Sequence, residues 1–148
     1  MPKILFVCGS NRSRSPLAAA YFKKLAEDAG VVELVVESAG LRTNPREMIC
    51  QEVSEVLAED GLQPLQLGVR QVLPKQIKSA DLVICFTSNQ LEQLENTFLS
   101  AKRKTKTLMS ILHSNAEIFD PVKGGAEKFR QCLRMMRPAL EALAQRLL

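Results

Sequence analysis

Short apolar runs alternate with amphipathic stretches along the chain, and this alternation predicts a parallel α/β fold. Residues 4–8 (ILFVC) and 81–86 (DLVICF) have the continuous apolar character of strands that are buried on both faces. Residues 31–38 (VVELVVES) predict a further strand, and residues 105–110 a weaker one. Because helical patterns separate these strands, we expect a parallel sheet covered by helices on both faces, with functional residues at the carboxyl ends of its strands.

The stretches between the strands carry the apolar spacing and the boundary residues of helices. For the first helix we expect Ser15 as the cap, Pro16 as the first helical residue and Gly30 at the end. We expect a second helix over residues 48–59 and then a mostly irregular segment over 62–78 with one short helix. A further helix is expected to start near Gln90. The last helix starts at about Ala126, and we expect Pro138 to kink or split it.

Composition and charge narrow the class of protein. With 148 residues, 46% hydrophobic and 24% charged, we expect a single domain over residues 1–148. No run of about 18 apolar residues is present, and Lys3 leads into the first strand without a small-residue cleavage site, so we expect no membrane insertion and a cytoplasmic location. Four scattered cysteines without CxxC pairing and a single His indicate neither a zinc site nor a disulfide framework, so we expect reduced thiols. We expect no metal and no cofactor. A net charge of +4 makes the surface mildly attractive to anions.

The first strand runs into the stretch CGSNRSRS, residues 8–15, which we call the cysteine loop. Main-chain N–H groups in such a strand-to-helix loop can converge on an anion, and the helix dipole adds partial positive charge. Arg14 adds a planar fork of donors that suits a phosphate-like group, while the GxxxxGK[ST] pattern of nucleotide-binding loops is absent. The phosphate-binding residues that we predict are Gly9, Ser10, Asn11, Arg12, Ser13, Arg14 and Ser15.

Cys8 and Asp120 are the residues for which the sequence predicts a direct part in a reaction. The positive field of the cysteine loop favours the thiolate of Cys8, which could attack a bound phosphate ester and form a cysteinyl-phosphate. Ser15 can donate its hydroxyl to the sulfur, and Asp120, in the segment FDPVKGG, can protonate the leaving oxygen. A lone cysteine after a strand is more often a core thiol, but the fixed step from Cys8 to Arg14 and Ser-Pro favours a nucleophile.

At this point the chain resembles the low-molecular-weight protein tyrosine phosphatases. CGSNRSRSP is similar to the family's CX5RS-P loop, ESAG and VRQV to its next segments, DLVI with TSN to its third strand, and Asp120-Pro121 to its acid loop. The resemblance implies a flavodoxin-like, three-layer α/β fold with a four-stranded parallel sheet. It also implies Cys8 as nucleophile, Arg14 as phosphate clamp and Asp120 as general acid. Loop support is implied for Asn11, Ser15 and Ser38.

Several positions depart from the family pattern. Gly9 and Arg12 stand where relatives usually have bulky apolar residues, and Val122 follows Asp-Pro where aromatic residues are frequent. We therefore expect a shallow and more basic pocket. Ser13 replaces a second cysteine beside the nucleophile, which removes a disulfide partner for that thiol. Leu67 stands where animal relatives have a supporting His, so another group must complete the loop's hydrogen bonds, or the network is weaker.

Four functions remain open on the sequence alone. The first is a metal-independent phosphatase for phosphotyrosine in proteins, with a phosphorylated protein as substrate and a bacterial tyrosine kinase as a candidate partner. The alternatives are a protein-arginine phosphatase, an arsenate reductase, which needs relay thiols, and a non-catalytic phosphate- or nucleic-acid-binding protein. Residues 102–106 (KRKTK) are the only nucleic-acid signal, and because no aromatic residues interleave them we expect no nucleic-acid partner.

Overall fold

A computed structural model describes residues 2–147 of the chain, and its centre is a parallel sheet of four strands. The strand order is β2-β1-β3-β4, and the register pairs Val7 with Ala39, and Cys8 with Gly40. The carboxyl ends of β1 and β2 therefore meet at one edge of the sheet. The strands are β1 (Lys3–Cys8), β2 (Val35–Gly40), β3 (Leu82–Cys85) and β4 (Thr105–Thr107).

Five α-helices cover the two faces of this sheet. They are α1 (Arg14–Asp28), α2 (Gln51–Ala58), α3 (Pro74–Ser79), α4 (Ser88–Thr97) and α5 (Gly125–Leu147), with short 3-10 helices at Leu99–Ala101 and Leu108–Leu112. Alternate residues of β1 point to opposite faces, as a strand requires. Phe6 belongs to a core cluster with α1, α2 and α5, whereas Leu5 and Val7 belong to a second cluster with α3 and α4. The flavodoxin-like three-layer α/β fold is thus confirmed.

The observed bounds of β2 and the start of α2 differ from the sequence prediction. Residues 31–34 are not part of β2, because the main-chain N–H of Val31 bonds to Ala26 O and closes the end of α1. Pairing with β1 instead extends β2 to Gly40. Helix α2 begins at Gln51 rather than at residue 48, because Met48 forms a bridge with Gly68.

The ends of three other elements also differ from the sequence prediction. Helix α1 begins at Arg14, so Ser15 is not its cap, and the Ser15 hydroxyl is used inside the site. Strand β4 is limited to Thr105–Thr107, since the chain turns into a 3-10 helix directly after it. Helix α5 continues through Pro138, so a split is wrong; Met136, Ala139 and other buried residues on both sides of the proline hold the helix against the core.

Candidate active site

The residues with candidate chemistry meet at the carboxyl edge of the sheet, where β1 ends at Cys8 and α1 begins at Arg14. An open pocket of about 520 Å³ lies there. It is built from the cysteine loop, the segment after β2, the start of α4 and Asp120. The residues that line the pocket are Gly9, Ser10, Arg14, Leu41, Arg42, Thr87, Asn89, Gln90, Gln93 and Asp120.

The thiol of Cys8 is buried and lies against the hydroxyl of Ser15, with 3.0 Å between Sγ and Oγ. The same Oγ accepts a hydrogen bond from Asn11 Nδ2 at 2.8 Å and lies 3.3 Å from Ala39 O. Because Asn11 supplies a proton to this oxygen, the hydroxyl proton of Ser15 is left for the sulfur or for Ala39 O. The geometry thus permits Ser15 to donate to Cys8, as the sequence predicts.

Asn11 shapes the cysteine loop from inside. Its backbone is left-handed (φ 60°), a conformation that asparagine tolerates better than most residues, and its side chain is fully buried. Besides Ser15, its Nδ2 donates to Ser38 Oγ at 3.1 Å. Its Oδ1 accepts from Arg70 N at 2.8 Å and from Gln66 Nε2 at 2.9 Å. The side chain therefore ties the loop to β2 and to the segment before α3.

Gln66 is a member of this network that the sequence analysis missed. The sequence predicts that a group other than Leu67 completes the loop's hydrogen bonds, or that the network is weaker. Leu67 is 63% exposed, while the neighbouring Gln66 supplies the bond to Asn11. Gln66 is the neighbouring residue with a polar side chain, but the sequence does not show that this side chain turns inward, because its direction depends on the main chain of an irregular segment.

The main-chain donors of the cysteine loop, the N–H groups of residues 9–15, have no protein acceptors within residues 2–147. Helix α1 begins at Arg14, so part of this set is the amino terminus of a 15-residue helix. Converging N–H groups at a helix amino terminus form an anion site for a tetrahedral oxyanion such as phosphate.

Arg14 and Asp120 form the charged part of the pocket. The guanidinium of Arg14 is mostly buried and donates from Nη1 to Ile118 O at 3.0 Å, while Nη2 lies 3.8 Å from Asp120 Oδ2. Its buried Nε has no partner among residues 2–147, which leaves donor capacity for an anion. Asp120 accepts hydrogen bonds at Oδ1 from Ser13 Oγ and from Val122 N, each at 3.1 Å. The carboxyl is therefore held at the pocket, where a leaving group would depart.

Two predicted phosphate-binding residues direct their side chains elsewhere. Arg12 donates from Nε to Met48 O at 3.0 Å and pairs through Nη1 with Glu47 at 3.4 Å. Ser13 donates to Asp120. Neither side chain lines the pocket, so any contribution of these residues to anion binding comes from their main-chain N–H groups. Arg12 thus neither occupies the pocket nor is free in solvent.

Six residues of the pocket lining were not predicted as site residues from the sequence: Leu41, Arg42, Thr87, Asn89, Gln90 and Gln93. A signal for them existed in the order of elements. Arg42 comes two residues after β2 ends, and Asn89 comes four residues after β3 ends. Because the carboxyl ends of parallel strands meet at one edge, residues that directly follow any strand are candidates for the same site.

The other three cysteines lie outside the pocket as neutral thiols. Burial raises the pKa of Cys85 to about 12 and the pKa of Cys132 to about 12, and burial also raises the pKa of Cys50. A thiol must ionise before it can attack a disulfide or an arsenic centre. These positions therefore suit a core role better than the relay that arsenate reduction needs.

Metal ligation and membrane insertion find no support in residues 2–147. This part of the chain contains no group of three or more His, Cys, Asp or Glu side chains arranged to hold a metal ion. None of its helices is both long enough and apolar enough to cross a bilayer.

Comparison with known proteins finds relatives over nearly the whole chain. The family model for low molecular weight phosphotyrosine protein phosphatase matches residues 3–148. A protein-arginine-phosphatase of Bacillus subtilis is 30% identical over 145 residues, covering 97% of this chain and 95% of the relative. The human low molecular weight phosphotyrosine protein phosphatase is 30% identical over 151 residues, covering 93% of each chain. The crystal structure of a YwlE mutant from Bacillus subtilis superposes with a TM-score of 0.92 at 29% identity and covers 99% of both chains.

Proposed function

Because the chain belongs to the low molecular weight phosphotyrosine protein phosphatase family, we propose that it hydrolyses phosphotyrosine in proteins through a cysteinyl-phosphate intermediate. One observation carries this proposal. The buried thiol of Cys8 stands at the end of β1, directly before a loop of unpaired N–H groups, and residues of that loop line a pocket together with Asp120. A nucleophile, an anion cradle and a proton donor are the parts that metal-independent ester cleavage requires.

In the first step the thiolate of Cys8 attacks phosphorus in line with the leaving oxygen. The S–P bond forms as the P–O bond to the tyrosine ring breaks, and the protonated carboxyl of Asp120 gives its proton to the departing oxygen. Arg14 and the N–H groups of the cysteine loop bind the equatorial oxygens of the transferring group, where charge is spread in the transition state.

In the second step a water molecule attacks the cysteinyl-phosphate. The carboxylate of Asp120 accepts a proton from this water, the S–P bond breaks, and inorganic phosphate is released. The sulfur leaves as a thiolate, and the hydroxyl of Ser15 at 3.0 Å can stabilise that charge by hydrogen bonding. Ser38 and Asn11 act indirectly in this scheme, because they hold Ser15 and the loop in place.

The test is hydrolysis of p-nitrophenyl phosphate with a metal chelator and a reductant present. We expect turnover by the native chain and a loss of more than about 10³-fold in Cys8→Ser, which should still bind vanadate. The matched control is Cys50→Ser, which changes a buried thiol outside the pocket and should retain activity. Retained activity in Cys8→Ser would remove Cys8 from its assigned role.

Asp120 needs a separate readout. Asp120→Asn removes the transferable proton but retains a similar shape, so the loss should be larger for phenyl phosphate than for p-nitrophenyl phosphate, whose leaving group needs less protonation. Equal losses with both esters would contradict a general acid role.

A protein-arginine phosphatase is the second candidate, and the relatives of that name in Bacillus subtilis and Geobacillus stearothermophilus favour it. The pocket residue Arg42 argues against it, since its positive charge would repel the guanidinium part of a phosphoarginine side chain in the same pocket. Comparing kcat/KM for a phosphotyrosine peptide with that for a phosphoarginine peptide of the same sequence decides between them. A higher value for phosphoarginine would replace the first proposal.

The proposed reaction also suggests a substrate, a partner and a cellular location. The substrate is a phosphorylated protein, and a bacterial tyrosine kinase is the proposed partner that produces it. All four cysteines carry free thiols, which supports the reducing environment of the cytoplasm. In cells that express such a kinase, the native chain should lower the level of phosphotyrosine below that reached with the kinase alone. Cys8→Ser should leave that level unchanged.

A further inference from the structure

Positive charge exceeds negative charge among the residues that line the pocket. Its lining contains two guanidinium groups, Arg14 and Arg42, and a single carboxyl, Asp120. Arg14 and Asp120 lie 3.8 Å apart, so each moderates the field of the other. Arg42 is exposed and makes no ion pair or side-chain hydrogen bond within residues 2–147. The second positive charge at the mouth is therefore uncompensated.

The backbone at Arg42 is fixed relative to the nucleophile. Its N–H donates to Gly9 O at 2.9 Å, and the preceding residue, Leu41, donates to Cys8 O at 2.9 Å. These bonds fix the Cα atom of Arg42 beside the start of the cysteine loop, so only the side chain has freedom to move. The long exposed side chain can reach a ligand group near the bound phosphate, and the contact formed there must offset the rotamer freedom that the side chain loses.

A polar surface from α4 lies in the same pocket lining. Gln93 Nε2 donates to Asn89 Oδ1 at 2.7 Å, which orients both amides. In the described part of the chain, Asn89 Nδ2 and Gln93 Oε1 make no further hydrogen bond. One donor and one acceptor therefore remain for a peptide main chain, and the pocket lining contains no aromatic side chain that would favour an apolar residue.

We propose that Arg42 forms a subsite for an acidic residue flanking the phosphotyrosine of the substrate, with Asn89 and Gln93 binding the adjoining main chain. This inference rests on the proposed function. The phosphate dianion already has Arg14 and the N–H groups of the cysteine loop, so the free guanidinium is available to a second anion. Aspartate or glutamate supplies the group that Arg42 binds best, through two parallel hydrogen bonds.

The experiment compares two phosphotyrosine peptides that differ only in their flanking residues, Glu in one and Gln in the other. The measured quantity is the ratio of kcat/KM for the acidic peptide to that for the neutral peptide. For the native enzyme we expect a ratio of about three to ten, which falls as salt is added. The ratio should approach one in Arg42→Gln, fall below one in Arg42→Glu, and largely return in Arg42→Lys.

The matched control is Arg46→Gln. Arg46 is exposed in the same connection and has no ion pair within residues 2–147, but it does not line the pocket, so its loss should leave the ratio at the native value. A native ratio of one, or an equal fall in Arg42→Gln and Arg46→Gln, would overturn the subsite. So would an equal loss of both peptides and p-nitrophenyl phosphate in Arg42→Gln, which would assign Arg42 to the reacting phosphate.

Peptide binding by the inactive variant tests the Arg42 subsite independently of the hydrolysis reaction. Calorimetry gives the dissociation constants of the two peptides for Cys8→Ser, with and without Arg42→Gln. The ratio of the two constants measures the preference for the acidic peptide in the absence of turnover. If the native chain hydrolyses neither peptide but Cys8→Ser prefers the acidic one through Arg42, the proposed reaction fails and the subsite stands. If the native chain turns over both peptides and Cys8→Ser binds them with equal affinity, the reaction stands and the subsite fails.

Discussion

Asn11 combines two requirements that few residues meet together. Its backbone has a φ of 60°, and its buried amide makes four hydrogen bonds. Asparagine adopts the left-handed region more readily than most residues with a Cβ, and its amide can donate and accept at once. The shape of the cysteine loop, and with it the convergence of main-chain donors, therefore depends on this side chain.

We predict that Asn11→Ala destabilises the fold by about 2–3 kcal/mol, because it leaves buried partners without hydrogen bonds. It should also lower kcat strongly, since the loop relaxes and Ser15 loses the bond that orients its hydroxyl. Urea unfolding together with hydrolysis of p-nitrophenyl phosphate measures both effects.

The control for this change is Asn44→Ala. Asn44 is exposed, and its side chain accepts a single local bond from Arg46 N at 3.0 Å. Its loss should cost less than about 1 kcal/mol and leave kcat near the native value. Equal effects of the two substitutions would mean that the Asn11 network contributes nothing specific.

At the level of elements, the site depends on how closely the exit of β2 approaches the cysteine loop. Gly40, the last residue of β2, accepts from Val72 N and donates to Arg70 O, so a further segment is bonded to this strand end. A Cβ at Gly40 would lie 2.8 Å from Asn11 N and 2.9 Å from Ser10 C. The glycine thus allows contact between two backbones, which any side chain would separate.

Gly40→Ala should therefore push the loop away and destabilise the fold by about 1–3 kcal/mol, with a fall in kcat/KM for p-nitrophenyl phosphate. Gly68→Ala is the matched control, because a Cβ there meets nothing within 4 Å and Gly68 also lies in a bridge near the site. Thermal unfolding and steady-state kinetics of both variants give the comparison. If Gly40→Ala matched Gly68→Ala, the close approach would not constrain the site.

The elements themselves were largely predictable, because their signals are local. Continuous apolar runs marked β1 and β3, and the ThrSerAsn cap marked α4, whose Thr87 hydroxyl does accept from Gln90 N. The start of β2 was not predictable, since pairing with β1 decides it, and three of the four residues 31–34 are apolar whether or not they belong to the strand. Cys8 and Arg14 were found from their spacing along the chain, and Arg42 could have been found from its place directly after β2. Gln66 required the fold that brings distant segments together.

On the scale of the whole molecule, the sheet divides the interior into two apolar clusters, and thiols are buried in both. Cys132 on α5 belongs to the cluster that contains Phe6, and Cys85 on β3 belongs to the one that contains Leu5. Burial raises the pKa of each thiol from 9.0 to about 12. The folded state therefore keeps both protons at pH values where the unfolded chain loses them.

This difference predicts how stability changes in alkali. Below pH 9 both states hold the two protons, so these thiols give the free energy of unfolding no pH dependence. Between pH 9 and about 12 the unfolded chain holds fewer protons than the folded chain, so stability falls by up to about 1.4 kcal/mol per pH unit for each thiol. Urea unfolding of the native chain from pH 8 to 11 should show this decline.

A substitution isolates the contribution of one thiol from that of lysine and tyrosine side chains. Cys132→Ala should be less stable than the native chain at pH 8, because it leaves a small cavity, but its stability should fall less steeply above pH 9. Leu133→Ala, at the next buried position of α5, is the control and should reduce stability by a similar amount at every pH. If the curves for Cys132→Ala and the native chain ran parallel, the thiol would already be ionised within the fold, and its exclusion from redox chemistry at the site would no longer follow from burial.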